Sequence, residues 1–298
     1  MSKAITKRLE AGLEVSKWAE IYVLVKFRLS LMVVASTMLA YLIAAGSSFS
    51  WTTFMLLFFG GFAVTGAANG INQVLEKEYD IMMQRTKYRP VAADRMKISE
   101  AVLISGLLLV TGTILLAMIN PLSCFLGMAS FILYAFVYTP LKRYSTVSVA
   151  VGAIPGALPT LIGVIAHDGM ITSLGITLFL IQFLWQFPHF WAIAYLSFDD
   201  YDRAGFRLLP KNSEGGIDRN LGLYSALYSL LIIPTIFWAQ FSGLELSIIS
   251  LILACTATIV YTIFGLNLQW RPSRKSALTL MLSSFFYLPV ILSLYLIG

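Results

Sequence analysis

The sequence predicts an all-α polytopic membrane protein with nine transmembrane helices, and three observations carry that prediction. Of 298 residues, 58% are hydrophobic and only 12% charged, about half the charge of a soluble domain, and the mean hydropathy is +0.80. Apolar stretches of the roughly 20 residues needed to cross a bilayer recur from Leu29 to the C-terminus. All 21 Lys and Arg fall in the connections on one side of a nine-span arrangement.

The apolar segments lie at about 28–46, 52–74, 101–119, 121–140, 147–166, 173–196, 221–241, 246–268 and 277–297. Gly46-Ser47-Ser48, Asn120-Pro121, His167-Asp168-Gly169 and Ser242-Gly243 mark breaks between them. The cations sit before and at the entry to the first span (to Arg28), at 75–97, at 140–146, at 197–220 and at 267–275. The opposite side keeps only Asp168 and Glu245. Adding or removing one helix would scramble this segregation. The positive-inside rule then puts the N-terminus in the cytoplasm and the C-terminus outside.

Residues 1–26 are expected to form a cytoplasmic, interfacial segment. Ile5, Leu9, Leu13, Trp18, Ile21 and Tyr22 suggest an amphipathic helix, and no apolar core follows the early cations as a secretory signal would need. Residues 27–298 are expected to form a single transmembrane domain, because no soluble domain of ordinary size fits between the spans. The sequence pI near 9.3 reflects topology and the lipid surface and does not argue for nucleic acid. Cys124 and Cys255 both fall inside spans, so they predict neither a disulfide framework nor a zinc site but buried, inert thiols.

Polar chemistry concentrates where the second span runs on into Asn72-Gln-Val-Leu-Glu76-Lys-Glu-Tyr-Asp80. Asn72, Glu76 and Asp80 are spaced i, i+4, i+8, and at about 100° per residue they share one helix face. Three oxygen-bearing side chains on one stripe suit a hard cation such as Mg²⁺, which is commonly shared with substrate phosphates. A solvated helix end would carry acids too. The following segment, Arg85-Thr-Lys-Tyr-Arg89-Pro90, favours the functional reading, because carboxylates with a metal beside guanidinium groups make a site for a polyanion.

A second acidic group, Asp199-Asp200-Tyr201-Asp202, ends the sixth span and is followed by Arg203 and Arg207. Arg85-x-x-x-Arg89-Pro90 and Arg203-x-x-x-Arg207 with Pro210 echo each other four helices apart, as an ancient duplication of a four-helix unit would produce. Two acidic and two basic clusters on one membrane face add up to a bimetal diphosphate site. Lys142 and Arg143 end the fourth span, where diphosphate contact and ordinary interfacial snorkelling are about equally good readings.

Within the sixth span stands Phe183-Leu-Trp185-Gln186-Phe187-Pro188-His189-Phe190-Trp191. His189 lies about 16 Å along the helix from Asp200 and on nearly the same face. A core histidine is usually structural, yet an ionisable residue inside a membrane helix is a functional candidate by default. Aromatic walls around an imidazole suit a flat macrocycle. His167, in an outer turn, is expected to face water.

Together these residues resemble the UbiA prenyltransferase superfamily, through Asn72-x-x-x-Glu76-x-x-x-Asp80 with Met83-x-Arg85-Thr-x-x-Arg89-Pro. Tyr138-Thr-Pro-Leu-Lys142-Arg, Gly152-Ala-Ile-Pro-Gly-Ala-Leu-Pro159, Trp185-Gln-Phe-Pro-His189-Phe-Trp191 and Asp200-Tyr-x-x-Ala-Gly205 are similar to a narrower family, the protoheme IX farnesyltransferases. The resemblance covers about residues 25–290. Glu76 stands where the superfamily usually has Asp, Ser148 where Asn is expected, and Asp202 has no counterpart in the pattern. The resemblance implies nine helices around a central cavity, farnesyl diphosphate as donor, Mg²⁺ as cofactor and heme b as acceptor, with heme O as product and a heme A synthase as downstream partner. It also implies roles: Asn72, Glu76, Asp80, Asp199 and Asp200 at metal; Arg85, Arg89, Lys142, Arg143 and Arg207 at diphosphate; His189 at heme.

Two other functions share part of this pattern. A prenyltransferase for an aromatic acid or quinone precursor would have the metal stripe but no need of the Phe-Pro-His-Phe-Trp segment. A secondary transporter would have intramembrane polar groups and repeats, but no reason to gather matched acids and cations at one face.

Overall fold

The computed structural model describes residues 15–242, 244 and 246–297. Among them nine helices are long and apolar enough to span a bilayer, and the protein is an integral, multi-pass membrane protein. The spans are Phe27–Ser48, Trp51–Leu75, Ile98–Ala117, Pro121–Leu141 and Ser148–Asp168, then Ser173–Leu196, Leu221–Phe241, Ile248–Trp270 and Arg274–Ile297. Their ends follow local chemistry. Ser50, Asn120, Thr172 and Ser247 cap the second, fourth, sixth and eighth spans by accepting a backbone N–H with the side-chain oxygen. Gly169, at φ 71°, closes the fifth.

The spans pack as two four-helix groups. Spans two to five lie against one another in sequence, as do six to nine, and in each group the first helix also touches the last. The first span packs mainly on the fifth and second and reaches the ninth, while the fifth and sixth join the groups directly. One apolar core is built largely from spans one to five and another from six to nine. The fifth span is the hub: Gly163 brings its backbone so close to the first that an added Cβ would stand 2.3 Å from the Thr37 carbonyl oxygen.

Prolines inside the spans free backbone carbonyls, which lipid cannot satisfy. Polar side chains from neighbouring helices take up the carbonyls at and around these breaks. Ser130 donates to the Pro155 carbonyl, the group that Pro159 leaves free, at 3.2 Å. Gln186 reaches the Ala153 carbonyl at 3.0 Å and Gln182 the Gly156 carbonyl at 2.8 Å. Beside Pro188, Tyr261 donates to the Trp185 carbonyl, and beside Pro289, Trp185 Nε1 donates to the Ser284 carbonyl at 2.9 Å. The sixth, eighth and ninth spans are thereby laced together at mid-membrane depth.

Ile5, Leu9 and Leu13 of the expected amphipathic helix lie outside the described residues. The helix Lys17–Leu24, capped by Ser16, exposes Trp18 but buries Glu20, Val23 and Leu24. Glu20 pairs with Arg95 at 2.6 Å, and Gln73 donates to the carbonyls of Val23 and Leu24 at 3.0 and 2.8 Å. Cys124 and Cys255 are free but only half-buried, not buried as expected. Cys124 packs at the edge of the core of spans one to five, and a half-covered thiol needs no hydrogen-bond partner there.

Candidate functional site

The stripe forms much as its spacing predicts, with one difference: the helix does not run unbroken. It ends at Leu75, and Glu76 (φ −102°, ψ 10°) joins it to a short helix, Lys77–Met82. The register survives because Glu76 N still bonds the Asn72 carbonyl and Asp80 N the Glu76 carbonyl, at 3.0 and 2.8 Å. Asn72, Glu76 and Asp80 remain on one face, and all three are buried.

Each meets a basic side chain. Lys26 Nζ donates to Asn72 Oδ1 at 2.8 Å, the Lys142 ammonium sits on Glu76, and Arg89 Nη1 donates to both Asp80 oxygens at 2.8 and 2.7 Å. Burial opposes ionisation of Glu76, but Lys142, with Arg89 and Lys26 behind it, holds its carboxyl below the ordinary carboxylate value. Lys142 and Arg89 balance the two carboxylates, and Lys26 adds a third basic group whose charged form burial and then the neighbouring Arg89 disfavour. An incoming anion would stabilise that charged form.

Asp200 brings the second acidic group to the first. Its two oxygens accept the backbone N–H groups of Gln84 and Arg85 at 3.1 and 3.2 Å, and Arg203 bonds it as well at 3.2 Å. Arg85 donates to the Tyr201 hydroxyl at 2.9 Å and lies over that ring. The ends of the second and sixth spans thus share one loop. Asp199 is exposed and joins no ion pair among the described residues. Arg143 lies over the Tyr79 ring, 4.5 Å from its centroid, and Arg207 donates from its backbone to the Lys142 carbonyl at 2.6 Å. Both are exposed at the rim. Asp202 pairs with Lys211.

Three features of the cluster escaped the sequence. Lys26 holds a left-handed backbone at φ 46°, strained for a side chain of its size, and reaches Asn72 from a chain segment that looks like an ordinary basic entry to a span. Thr139 accepts from Asn72 Nδ2 at 3.2 Å. It follows a π-helical turn, Leu133–Tyr138, which turns Tyr134 toward Asn69, 3.4 Å away. Such turns favour functional sites, yet only the Tyr-Thr-Pro-Leu-Lys-Arg motif hinted at this one.

His189 is buried in the sixth span. Its Nδ1 lies 2.6 Å from Ser284 Oγ of the ninth, the Trp185 ring stacks on it at 4.7 Å and Phe285 meets it edge-on at 5.1 Å. His167 pairs with Asp168 at the end of the fifth span at 2.8 Å.

The donor set at the stripe fits a hard divalent cation. It is all oxygen, two carboxylates and an amide gathered on one buried face.

A helical membrane body with acids and cations pooled at one face defines a membrane prenyltransferase class, and sequence comparison agrees: the chain belongs to the UbiA prenyltransferase family, matched over residues 33–288. Among its relatives are proteins named protoheme IX farnesyltransferase. The one from Cytophaga hutchinsonii is 38% identical over 277 residues, 93% of this chain and 96% of its own. The one from Flavobacterium psychrophilum is also 38% identical, over 91% of each chain. Solved structures share the fold. A digeranylgeranylglyceryl phosphate synthase superposes with a TM-score of 0.78 at 18% identity, over 95% of this chain and 99% of its own. A UbiA homologue from Archaeoglobus fulgidus bound to GPP and Mg²⁺ gives 0.65 at 13% identity, over 93% and 99%.

Proposed function

We propose that this prenyltransferase moves a farnesyl group from farnesyl diphosphate to a vinyl group of heme b, with addition of water, releasing heme O and diphosphate. One observation carries the choice of acceptor. The relatives 38% identical over nearly the whole chain bear the name protoheme IX farnesyltransferase, and this chain adds an aromatic-walled histidine on the sixth span, which breaks at Ser197 before the short helix Phe198–Arg203 that carries Asp200.

Asn72, Glu76, Asp80, Asp199 and Asp200 would hold Mg²⁺, which when bound draws charge from the diphosphate and eases its departure. Lys26 and Lys142, which meet Asn72 and Glu76, would contact the phosphate oxygens with Arg85, Arg89, Arg143 and Arg207. These cations stabilise the charge that develops as the allylic C–O bond breaks and its electron pair leaves with diphosphate. The Tyr138 and Phe206 rings, which already receive the Lys142 ammonium at 4.9 and 5.3 Å, suit the allylic cation in the same way. The heme vinyl π pair closes the new C–C bond, and water adds to the resulting carbocation with loss of a proton. His189 orients or ligates the heme.

The catalytic face is cytoplasmic and the C-terminus outside, residues 27–298 act as one domain, and a heme A synthase is the natural consumer of the product. A sister activity on an aromatic acid or quinone precursor is the competing reading. Titrating the purified protein with heme b separates them: a saturable change in the heme absorption spectrum is expected, and its absence, with retained farnesyl diphosphate binding, favours the sister activity.

A further inference from the structure

We infer that Ser284 is a positioning residue for the acceptor: it fixes the His189 ring as the Nδ1–H tautomer, so that Nε2 presents its lone pair to the substrate side. The inference rests on the reading of His189 as the heme contact. Its geometry stands without that reading.

Ser284 Oγ makes two close contacts, to the Met281 carbonyl oxygen at 2.5 Å and to His189 Nδ1 at 2.6 Å. A carbonyl cannot donate, so the single hydroxyl proton goes to Met281. The second contact is a hydrogen bond only if Nδ1 carries a proton and donates it to Oγ. A charged ring among Trp185, Phe190 and Phe285, with no carboxylate paired to it among the described residues, would be costly. The ring is therefore neutral, and its other nitrogen is unprotonated. No described residue hydrogen-bonds Nε2.

The surroundings hold this arrangement in place. Trp185 stacks on the imidazole at 4.7 Å and donates its own Nε1–H to the Ser284 carbonyl at 2.9 Å. One tryptophan thus locks both the ring plane and the ninth-span residue that orients it. A histidine whose far nitrogen donates to a fixed oxygen has a set tautomer and a more basic near nitrogen, which is how proteins prepare imidazoles for iron.

The chain has only two histidines, so two-bond ¹H–¹⁵N correlation on full-length protein labelled with ¹⁵N-histidine, without heme, reads the tautomer directly. His167→Gln assigns the signals. Nδ1–H is expected at His189, retained in Ser284→Thr and lost to a mixture or to Nε2–H in Ser284→Ala. An Nε2–H tautomer in the unaltered protein overturns the proposal even if Ser284→Ala fails to fold. Heme b titration of the same preparations gives the second readout. Ser284→Ala should bind heme about tenfold more weakly with a shifted spectrum, Ser284→Thr should restore both, and farnesyl diphosphate affinity should not move. Heme affinity lost in His189→Ala but unchanged in Ser284→Ala overturns the proposal alone. Unchanged affinity in both removes the His189 reading and the positioning role with it.

Discussion

Glu76→Gln and Asp80→Asn are each expected to slow prenyl transfer on the order of 10²–10³-fold, about 3–4 kcal/mol in the barrier, while the protein stays folded in detergent. Both carboxylates are buried, and each holds a cation: Glu76 meets Lys142 and Asp80 accepts twice from Arg89. Neutralising either removes an oxygen ligand suited to Mg²⁺. It also leaves one buried cation unbalanced, so Lys142 or Arg89 loses the partner that aims it at the phosphates. Neither carboxylate sits in the apolar core between the spans, which is why the fold should survive. Steady-state rates on protein checked by size-exclusion chromatography decide the matter. Near-normal rates in both variants would reduce the stripe to the end of a helix.

His189→Ala is expected to weaken heme b binding on the order of 10²-fold, about 2.7 kcal/mol, and to shift the spectrum of the heme that remains. Farnesyl diphosphate affinity should be unchanged, because His189 contacts Trp185, Phe190, Ser284 and Phe285 and none of the cation cluster. A structural histidine would behave differently: stability would fall, and the surviving protein would bind heme with an unaltered spectrum. Measuring both affinities on one folded preparation separates the two.

The fold was legible because lipid leaves few alternatives. Span length, cation segregation and the breaks at Asn120-Pro121 and Gly169 locate nine helices without any tertiary information. The Asn72–Glu76–Asp80 stripe was legible for a similar reason, since helical period alone puts the three on one face, and it tolerates the local break at Glu76. What stayed hidden depends on partners distant in sequence. Lys26 looks like any boundary lysine until the first span lays it against Asn72. Ser284 is one of many membrane serines until the ninth span meets His189. Asp199 and Asp200 carry the same expected metal role, yet only Asp200 reaches the backbone of the Arg85 loop. The thiols misled because position inside a span does not fix how far neighbouring helices cover a side chain.

The most direct test of the account is a product measurement. Membranes carrying the protein are incubated with heme b, farnesyl diphosphate and Mg²⁺, and the extracted porphyrins are weighed by mass spectrometry. The account predicts a heme enlarged by one farnesyl group and one hydroxyl, dependent on both Mg²⁺ and farnesyl diphosphate and lost in Glu76→Gln. Unchanged heme b, alongside prenylation of an aromatic acid or quinone precursor by the same membranes, would contradict it.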